Sequence, residues 1–239
     1  MPLRIQKFLS QCGYCSRRKA EELILTSHIT VNGQPATIGQ IIDSTQDVVK
    51  VDSHRIQNIS KETIVLLLNK PRGVVCSRQT RYVSEKTVFD FIPRPFINES
   101  FFYCGRLDKD SQGMLILTNN GDFVHKLTHP SSNITKIYHV TLEQPITSEH
   151  KAKMLRGIEN QGEYLKAEKI IELPSSNDRQ VLEIHLKQGR KREIRRMIMV
   201  CGSYVHRLKR VQIGQLKLKN LAIGDVKHLT PKEIDLLFA

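Results

Sequence analysis

No apolar run in this sequence approaches the length of a bilayer span: the longest aliphatic stretch is Ile64 to Leu68, where about 20 residues are needed. Nor does an apolar segment of signal-peptide length follow Met1, so the chain is expected in the cytoplasm, with no membrane partner. Cysteine is sparse. Cys12 and Cys15 form a C-x-x-C pair, but Cys76, Cys104 and Cys201 stand alone and a second pair with zinc-ligand spacing is missing, which disfavours a structural metal site. Five free thiols are expected, a redox or metal role for Cys12 and Cys15 being the minor alternative. A Gly-rich loop with a dinucleotide or ATP fingerprint is also missing. Acidic residues are in deficit: 24 Asp and Glu face 37 Lys and Arg, a formal net charge of +13. Such an excess points to a polyanionic partner, nucleic acid ahead of membrane, drawn by long-range attraction and counterion release.

What is present divides into two domains. Ile5, Phe8, Leu9 and Cys12 hold the spacing of a short amphipathic helix, which Gly13 can end. Ser16 is a natural N-cap for a second helix, Arg17 to Leu25, burying Ala20, Leu23 and Ile24. Its first turn carries Arg17, Arg18 and Lys19. Cations there oppose the helix dipole, which suggests that they are kept for phosphate. Ile29-Thr30-Val31 runs into Asn32-Gly33, a strand with a tight hairpin turn, and Val48 to Val51 is a further strand. Through Leu3-Arg4-Ile5-Gln6-Lys7-Phe8-Leu9, Ser16 to Ile24 and Ile29 to Gly33, residues 3 to 51 resemble the alpha-L RNA-binding domain first described in a small-subunit ribosomal protein.

Polar residues 53 to 62 suggest a linker, so the domains are taken as 1–58 and 59–239. The second opens on the apolar strand Ile64 to Leu68, broken by Asn69-Lys70-Pro71-Arg72-Gly73. Gly105-Arg106-Leu107-Asp108-Lys109-Asp110 is a polar loop that leads through Gly113 into a short apolar strand, Met114 to Leu117. Asn120-Gly121 turns the chain and Asp122 can cap a short helix with Phe123, Val124 and Leu127. Tyr138 to Leu142 and Leu182 to Leu186 alternate as strands, and Thr147 can cap a helix that reaches Gly157. Thr230-Pro231-Lys232-Glu233 is a capping box before a structural helix. Strands dominate, so the domain is expected to be α+β around a mainly antiparallel mixed sheet.

The densest charge lies in Gln188-Gly189-Arg190-Lys191-Arg192-Glu193-Ile194-Arg195-Arg196. Ile194, Met197, Ile198 and Cys201 hold helical spacing, with Arg192, Arg195 and Arg196 on a neighbouring face. One Glu193 cannot neutralise these cations, with Arg207, Lys209 and Arg210 close behind. A carboxylate on a strand-supported loop is a common place for chemistry. Asp108-Lys109-Asp110 could hold Mg²⁺ for phosphodiester cleavage, but the intervening lysine and the shortage of other clustered acids argue against a two-metal site. His125 and His129 lack the Glu of a zinc protease and read as helix-end or RNA-contacting residues.

In the order Asn69 to Gly73, Gly105 to Asp108, Lys136-Ile137-Tyr138, Gly189 to Arg196 and Arg207-Leu208-Lys209-Arg210-Val211-Gln212-Ile213-Gly214, the chain resembles the RsuA/RluB branch of the RNA pseudouridine synthases. It departs from them near the carboxyl end, where the family often has a Trp-Arg pair and this sequence has Val226-Lys227. The resemblance implies isomerisation of uridine to pseudouridine in ribosomal RNA without a cofactor. By that resemblance Asp108 is the nucleophile, acting on the sugar or as a base; Tyr138 lies against the uracil and takes the carbon-five proton; Arg195 pairs with Asp108. Arg106 would fill the gap left by the flipped uridine. Lys70, Arg190, Lys191, Arg192, Arg196, Arg17, Arg18 and Lys19 are further candidate RNA contacts, and Leu208 is part of the pocket wall or plain core. Against these stand a core tyrosine at 138, a phosphate clamp at 195 and a loop salt bridge at 106. The sequence from Ser16 to Glu22 looks more like the members that modify the large subunit. Small-subunit RNA, or a non-catalytic ribosome-assembly factor of the same fold, is the alternative. The expected partner is ribosomal RNA, free or in an assembly intermediate, and the expected state a monomer.

Overall fold

The computed structural model describes residues 2–57, 62–78, 80, 82–175 and 178–239. The chain forms two compact units, Met1–Thr63 and Ile64–Ala239; the boundary expected between 58 and 59 lies outside the described residues. In the first unit, strand β1 (Pro2–Arg4) leads into helix α1 (Ile5–Gln11), and helix α2 (Arg17–Leu25) follows. The Ser16 hydroxyl accepts from the Lys19 amide at 3.1 Å, the capping bond that its position after Gly13 predicts. Four short strands, β2 (Ile29–Val31), β3 (Gln34–Pro35), β5 (Val49–Val51) and β6 (His54–Arg55), pair as one sheet, and β4 (Ile41–Asp43) pairs with β1. Ile5, Phe8, Leu9, Ala20 and Ile24 pack on Ile29, Val49 and Val51 in a single core.

The second unit is built on a nine-stranded sheet. Its strands are β7 (Val65–Lys70), β8 (Phe102–Cys104), β9 (Gln112–Thr118), β10 (Lys136–Leu142), β13 (Lys169–Leu173), β14 (Val181–Leu186), β15 (Val205–Ile213), β16 (Leu216–Lys217) and β17 (Val226–His228), and β11 (Ile158–Asn160) with β12 (Glu163–Leu165) forms a separate hairpin. The order is β13-β14-β10-β15-β9-β7-β17, with β16 on β15 and β8 on β9. Helices α3 (Gly121–Thr128), α4 (Ser148–Arg156), α5 (Glu193–Val200) and α6 (Pro231–Asp235) complete it.

The two halves of this sheet differ as their sequences do. Strands β7 and β9 are buried throughout: Val65, Leu67, Met114 and Ile116 face one core with Leu127 and Leu229, while Leu66, Leu68, Leu115 and Leu117 face another with Val88 and Phe101. A continuous apolar run is what a strand covered on both faces requires. Strands β10 and β14 instead alternate. Val140, Leu182, Ile184 and Leu186 pack against Met154, Ile194, Met197 and Ile198 from α4 and α5, whereas on the other face Glu183 accepts from His139 and His185 at 3.3 and 2.8 Å. Thr147 caps α4 through the His150 amide, and Thr230 with Glu233 forms the expected capping box on α6. The cap of α3 is Asn120, not Asp122: the Asn120 side-chain Oδ1 accepts from the amides of Asp122 and Phe123, because Gly121 already begins the helix. Where the Trp-Arg pair is replaced, Val226–His228 still pairs with β7, and Lys227 reaches Glu233 at 2.5 Å.

The halves are joined by the one parallel pairing of this sheet among the described residues, Lys209 with Gln112 and Arg210 with Gly113. Gly113 has φ +105°, and a Cβ there would stand 2.3 Å from the Arg210 carbonyl oxygen. Only glycine fits. On its other side Gly113 is paired with Lys70. Lys70 is completely buried, and its ammonium donates to the carbonyls of Pro71, Asp108 and Ser111 at 3.0, 3.2 and 2.8 Å. This corrects its assignment as an RNA contact. Three acceptors match the three N–H bonds of an ammonium, so Lys70 ties the end of β7 to the loop before β9.

Two stability measurements test this junction. Gly113→Ala should lower the unfolding free energy by about 3 kcal/mol or more, since it adds backbone overlap to a strained φ; an unchanged urea midpoint would contradict the close approach. Burial depresses the Lys70 pKa to about 8 from 10.5. The unfolded chain therefore holds more protons between these values, so the Lys70 contribution to stability should rise as pH increases through that window. Subtracting the stability-pH curve of Lys70→Met from that of the wild type isolates this rise; a flat difference would refute it.

Candidate active site

Asp108 sits in the loop between β8 and β9. Its carbonyl accepts from the Ser111 amide at 3.0 Å as well as from Lys70, and the next carbonyl, that of Lys109, accepts from the Gly73 amide at 2.8 Å. The turn from Asn69 to Gly73 thus holds the loop by its backbone and leaves the side chains to the cleft. The Asp108 carboxylate, one-third exposed, meets Arg192 Nη1 at 3.5 Å and Arg195 Nε at 3.8 Å, both at Oδ2. These are ion pairs beyond hydrogen-bond length. Because both converge on one oxygen, Oδ1 stays out of the ion pairs.

The two arginines are held differently. Arg195, on α5, is largely buried; it donates to the Val205 carbonyl at 3.3 Å and to the Asp110 carbonyl and Ser111 hydroxyl at 3.4 Å. Desolvation and the neighbouring Arg192 lower its pKa. Arg192 precedes the helix in the left-handed conformation, φ 51° and ψ 34°, uncommon for a residue with a Cβ, and nearly half of its side chain is in solvent.

A cleft of about 720 Å³ opens beside Asp108, with Tyr138, Leu208, Arg195 and Arg106 in its lining. The sequence separates Asp108, Tyr138 and Arg195 widely; the sheet brings them to one cleft. Tyr138 on β10 is 8% exposed and stands opposite Arg210 on β15. Leu208 both lines the cleft and belongs to the core under α5. Arg106 is exposed at the cleft's edge. Arg190, Lys191 and Arg192 are exposed along the segment before α5, although Arg190 also pairs with Glu163 at 3.1 Å. In the first unit Arg17, Arg18 and Lys19 are exposed in the first turn of α2, Lys19 bridging to Glu22 at 2.8 Å.

Arg196 departs from expectation. Its guanidinium bonds the Asn160 side chain at 2.8 Å, the Asn160 carbonyl and Glu163, so it braces the β11–β12 hairpin rather than presenting a free cation to RNA. Asp110 is exposed, and Lys109 pairs with Glu85 at 2.6 Å. All five cysteines are free thiols; Cys76 and Cys104 lie in the cleft wall, and burial pushes the Cys104 thiol up to about 12. Among the described residues no three His, Cys, Asp or Glu side chains are grouped to hold a metal ion, and no helix is long and apolar enough to cross a membrane.

Two cleft residues escaped the sequence reading. Arg210 lies two residues beyond Leu208 and Lys136 two before Tyr138, so period-two alternation puts each on the cleft side of its strand. Both line the cleft. That alternation was the available signal.

Comparison with known proteins agrees with this architecture. Residues 3–56 match the S4 domain and residues 64–199 match the RNA pseudouridylate synthase family. The chain is 35% identical over 99% of its length, and 96% of the relative's, to ribosomal large subunit pseudouridine synthase B of Bacillus subtilis. It is 37% identical over 99% of its length to the dual-specificity RNA pseudouridine synthase RluF of Escherichia coli K12, of which it covers 78%. A crystal structure of a pseudouridylate synthase superposes with a TM-score of 0.69 at 30% identity, covering 98% of this chain and 99% of that one. With an S4 domain ahead of the sheet that carries Asp108, this chain belongs to the RNA pseudouridylate synthase family.

Proposed function

We propose that this protein isomerises a specific uridine to pseudouridine in large-subunit ribosomal RNA, acting in the cytoplasm as a monomer, with Asp108 as its nucleophile. The observation that carries the reading is the Asp108 carboxylate, fixed through Oδ2 by Arg192 and Arg195 beside a cleft lined by Tyr138. Its backbone is immobilised by Lys70 and Ser111, so little reorganisation is needed when the reacting sugar arrives. The name of the Bacillus subtilis relative supports the choice of the large subunit.

The target base must leave its stack to reach this cleft. Asp108 then either bonds to the sugar carbon C1′ or takes the proton from C2′; both routes break the C1′–N1 bond and leave uracil free. The base turns within the cleft, bonds to C1′ through carbon five, and loses the proton from that carbon to Tyr138, which lies along the ring. Arg195 orients the carboxylate. Arg106 takes the space vacated by the flipped base. The S4 domain, with exposed Arg17, Arg18 and Lys19, and the exposed Lys191 and Arg192 supply phosphate contacts.

Unmodified ribosomal RNA carrying tritium at uridine carbon five should release label with the wild-type protein. Asp108→Asn, with unchanged folding by circular dichroism, should slow release by roughly 1,000-fold or more. Equal release by both would remove Asp108 from the chemistry, and complete retention by the wild type would remove the activity. A second measurement separates outward from inward cations. Lys191→Ala should reduce the slope of log affinity against log salt by about 1, while Arg196→Ala should leave that slope unchanged and lower thermal stability. Equal slope changes would mean that Arg196 also meets RNA.

A further inference from the structure

Arg210 is 4% exposed, and its guanidinium is only partly satisfied: Nε donates to the Met114 carbonyl at 2.7 Å, while the buried Nη2 has no hydrogen-bond partner. Among the described residues it makes no ion pair. Two cations feel its charge. Lys136 is kept below its ordinary pKa by burial and then by Arg210, and Lys70 is lowered chiefly by burial, with Arg210 adding to it. Of the two carboxylates that line the cleft, Asp108 is already shared by Arg192 and Arg195, and Glu193, which acts on Lys136, accepts from the Arg190 amide at 3.1 Å. A desolvated cation with an idle donor and no ion pair is costly. That cost is recovered if an oxygen that gains negative charge is brought to it.

We infer that Arg210 is a catalytic residue that donates through its guanidinium to a carbonyl oxygen of the flipped uracil and stabilises the anion formed when the base leaves the ribose. The inference rests on the isomerase reading above. Arg210 stands directly opposite Tyr138 on the neighbouring antiparallel strand, so their side chains share one face, a few ångströms apart. A ring lying along Tyr138 places its edge near the guanidinium. Phosphates are the weaker occupants, because the sugar-phosphate chain stays outside when a base is extruded, where Arg106, Lys191 and Arg192 are exposed.

The charge balance is the same on either route. When C1′–N1 breaks, its electron pair leaves with uracil, and the negative charge spreads over N1, O2 and O4. Asp108 has meanwhile either formed a bond to C1′ or taken a proton from C2′. When carbon five bonds to C1′, the pair returns to the sugar: Asp108 leaves again as a carboxylate, or gives its proton back to C2′. The proton on carbon five is then lost and N1 gains one, so product and substrate are isomers. Arg210 is needed only while the base is an anion.

The test is single-turnover reaction of a synthetic RNA fragment spanning the uridine that the wild-type protein modifies, with enzyme in excess. Arg210→Met should slow tritium release by about 100-fold or more while RNA affinity at fixed salt changes by less than about threefold. Arg210→Lys, which keeps a cation, should fall between the two and guards against a packing defect in the methionine variant. A fragment with 5-fluorouridine at the target should recover most of the lost rate of glycosidic cleavage in Arg210→Met, read as disappearance of the intact nucleoside from digests. Fluorine stabilises the departing anion without the protein's help, so a merely structural role predicts no recovery. Wild-type release by Arg210→Met, or equal losses on both fragments, would overturn this inference alone. Absence of release by the wild type would overturn the isomerase reading and this inference with it.

Discussion

The second unit depends on one close approach, that of Gly113 to the Arg210 backbone. Two parallel residue pairs join a half sheet buried on both faces to a half sheet covered by α4 and α5 on one. A side chain at Gly113 would push the halves apart, and the cleft lies over the junction that they form. Gly113 is flanked by Lys70 on β7 and Arg210 on β15, both buried cations. A sheet built for stability alone would put apolar side chains in these places, since a buried charge is seldom worth its desolvation. Lys70 is compensated by three carbonyls, two of them in the loop of Asp108. Arg210 is compensated by one.

The net charge of +13 therefore conceals a division of labour. Arg196 and, in part, Arg190 hold the β11–β12 hairpin through Asn160 and Glu163; Lys70 holds a loop; Arg195 holds Asp108. Arg106, Lys191 and Arg192 remain at the surface. At 3.8 Å and an effective dielectric of about 20, the attraction between Arg195 and Asp108 is about 4 kcal/mol before desolvation. That is ample to fix a carboxylate already tied down through its backbone, but small beside the gross cost of burying both charges. The pair is better understood as orientation than as stability.

The sequence showed where elements begin and end more readily than what their charged side chains meet. Ser16, Thr147 and Thr230 are legible as caps because a capping bond closes within three residues; Asn120 and Asp122, two residues apart, offer equally plausible acceptors, and local sequence does not choose between them. The unbroken run at Ile64 to Leu68 and the alternation from Leu182 to Leu186 gave strands of the right kind. Lys70 and Arg196 read as RNA contacts because their partners, at 108 and 111 and at 160 and 163, are far along the chain. A lysine in a polar turn and an arginine in a basic helix look solvated until such partners are known. Arg210 reads as one more cation in a basic stretch, although Leu208 two residues earlier fixes its face.

The same non-locality governs when the site can exist. Asp108 comes from the loop before β9, Tyr138 from β10 and Arg195 from α5, and none of these segments is adjacent in sequence. What aligns them is pairing of β15 with both β10 and β9, contacts that close long loops and therefore form late in any order that favours local structure. Before β15 docks, the Asp108 loop can be held by Lys70, but Arg210 is not yet beside Tyr138, and Arg195 lacks the Val205 carbonyl that steadies it. The carboxylate can thus be in place before its electrostatic surroundings are.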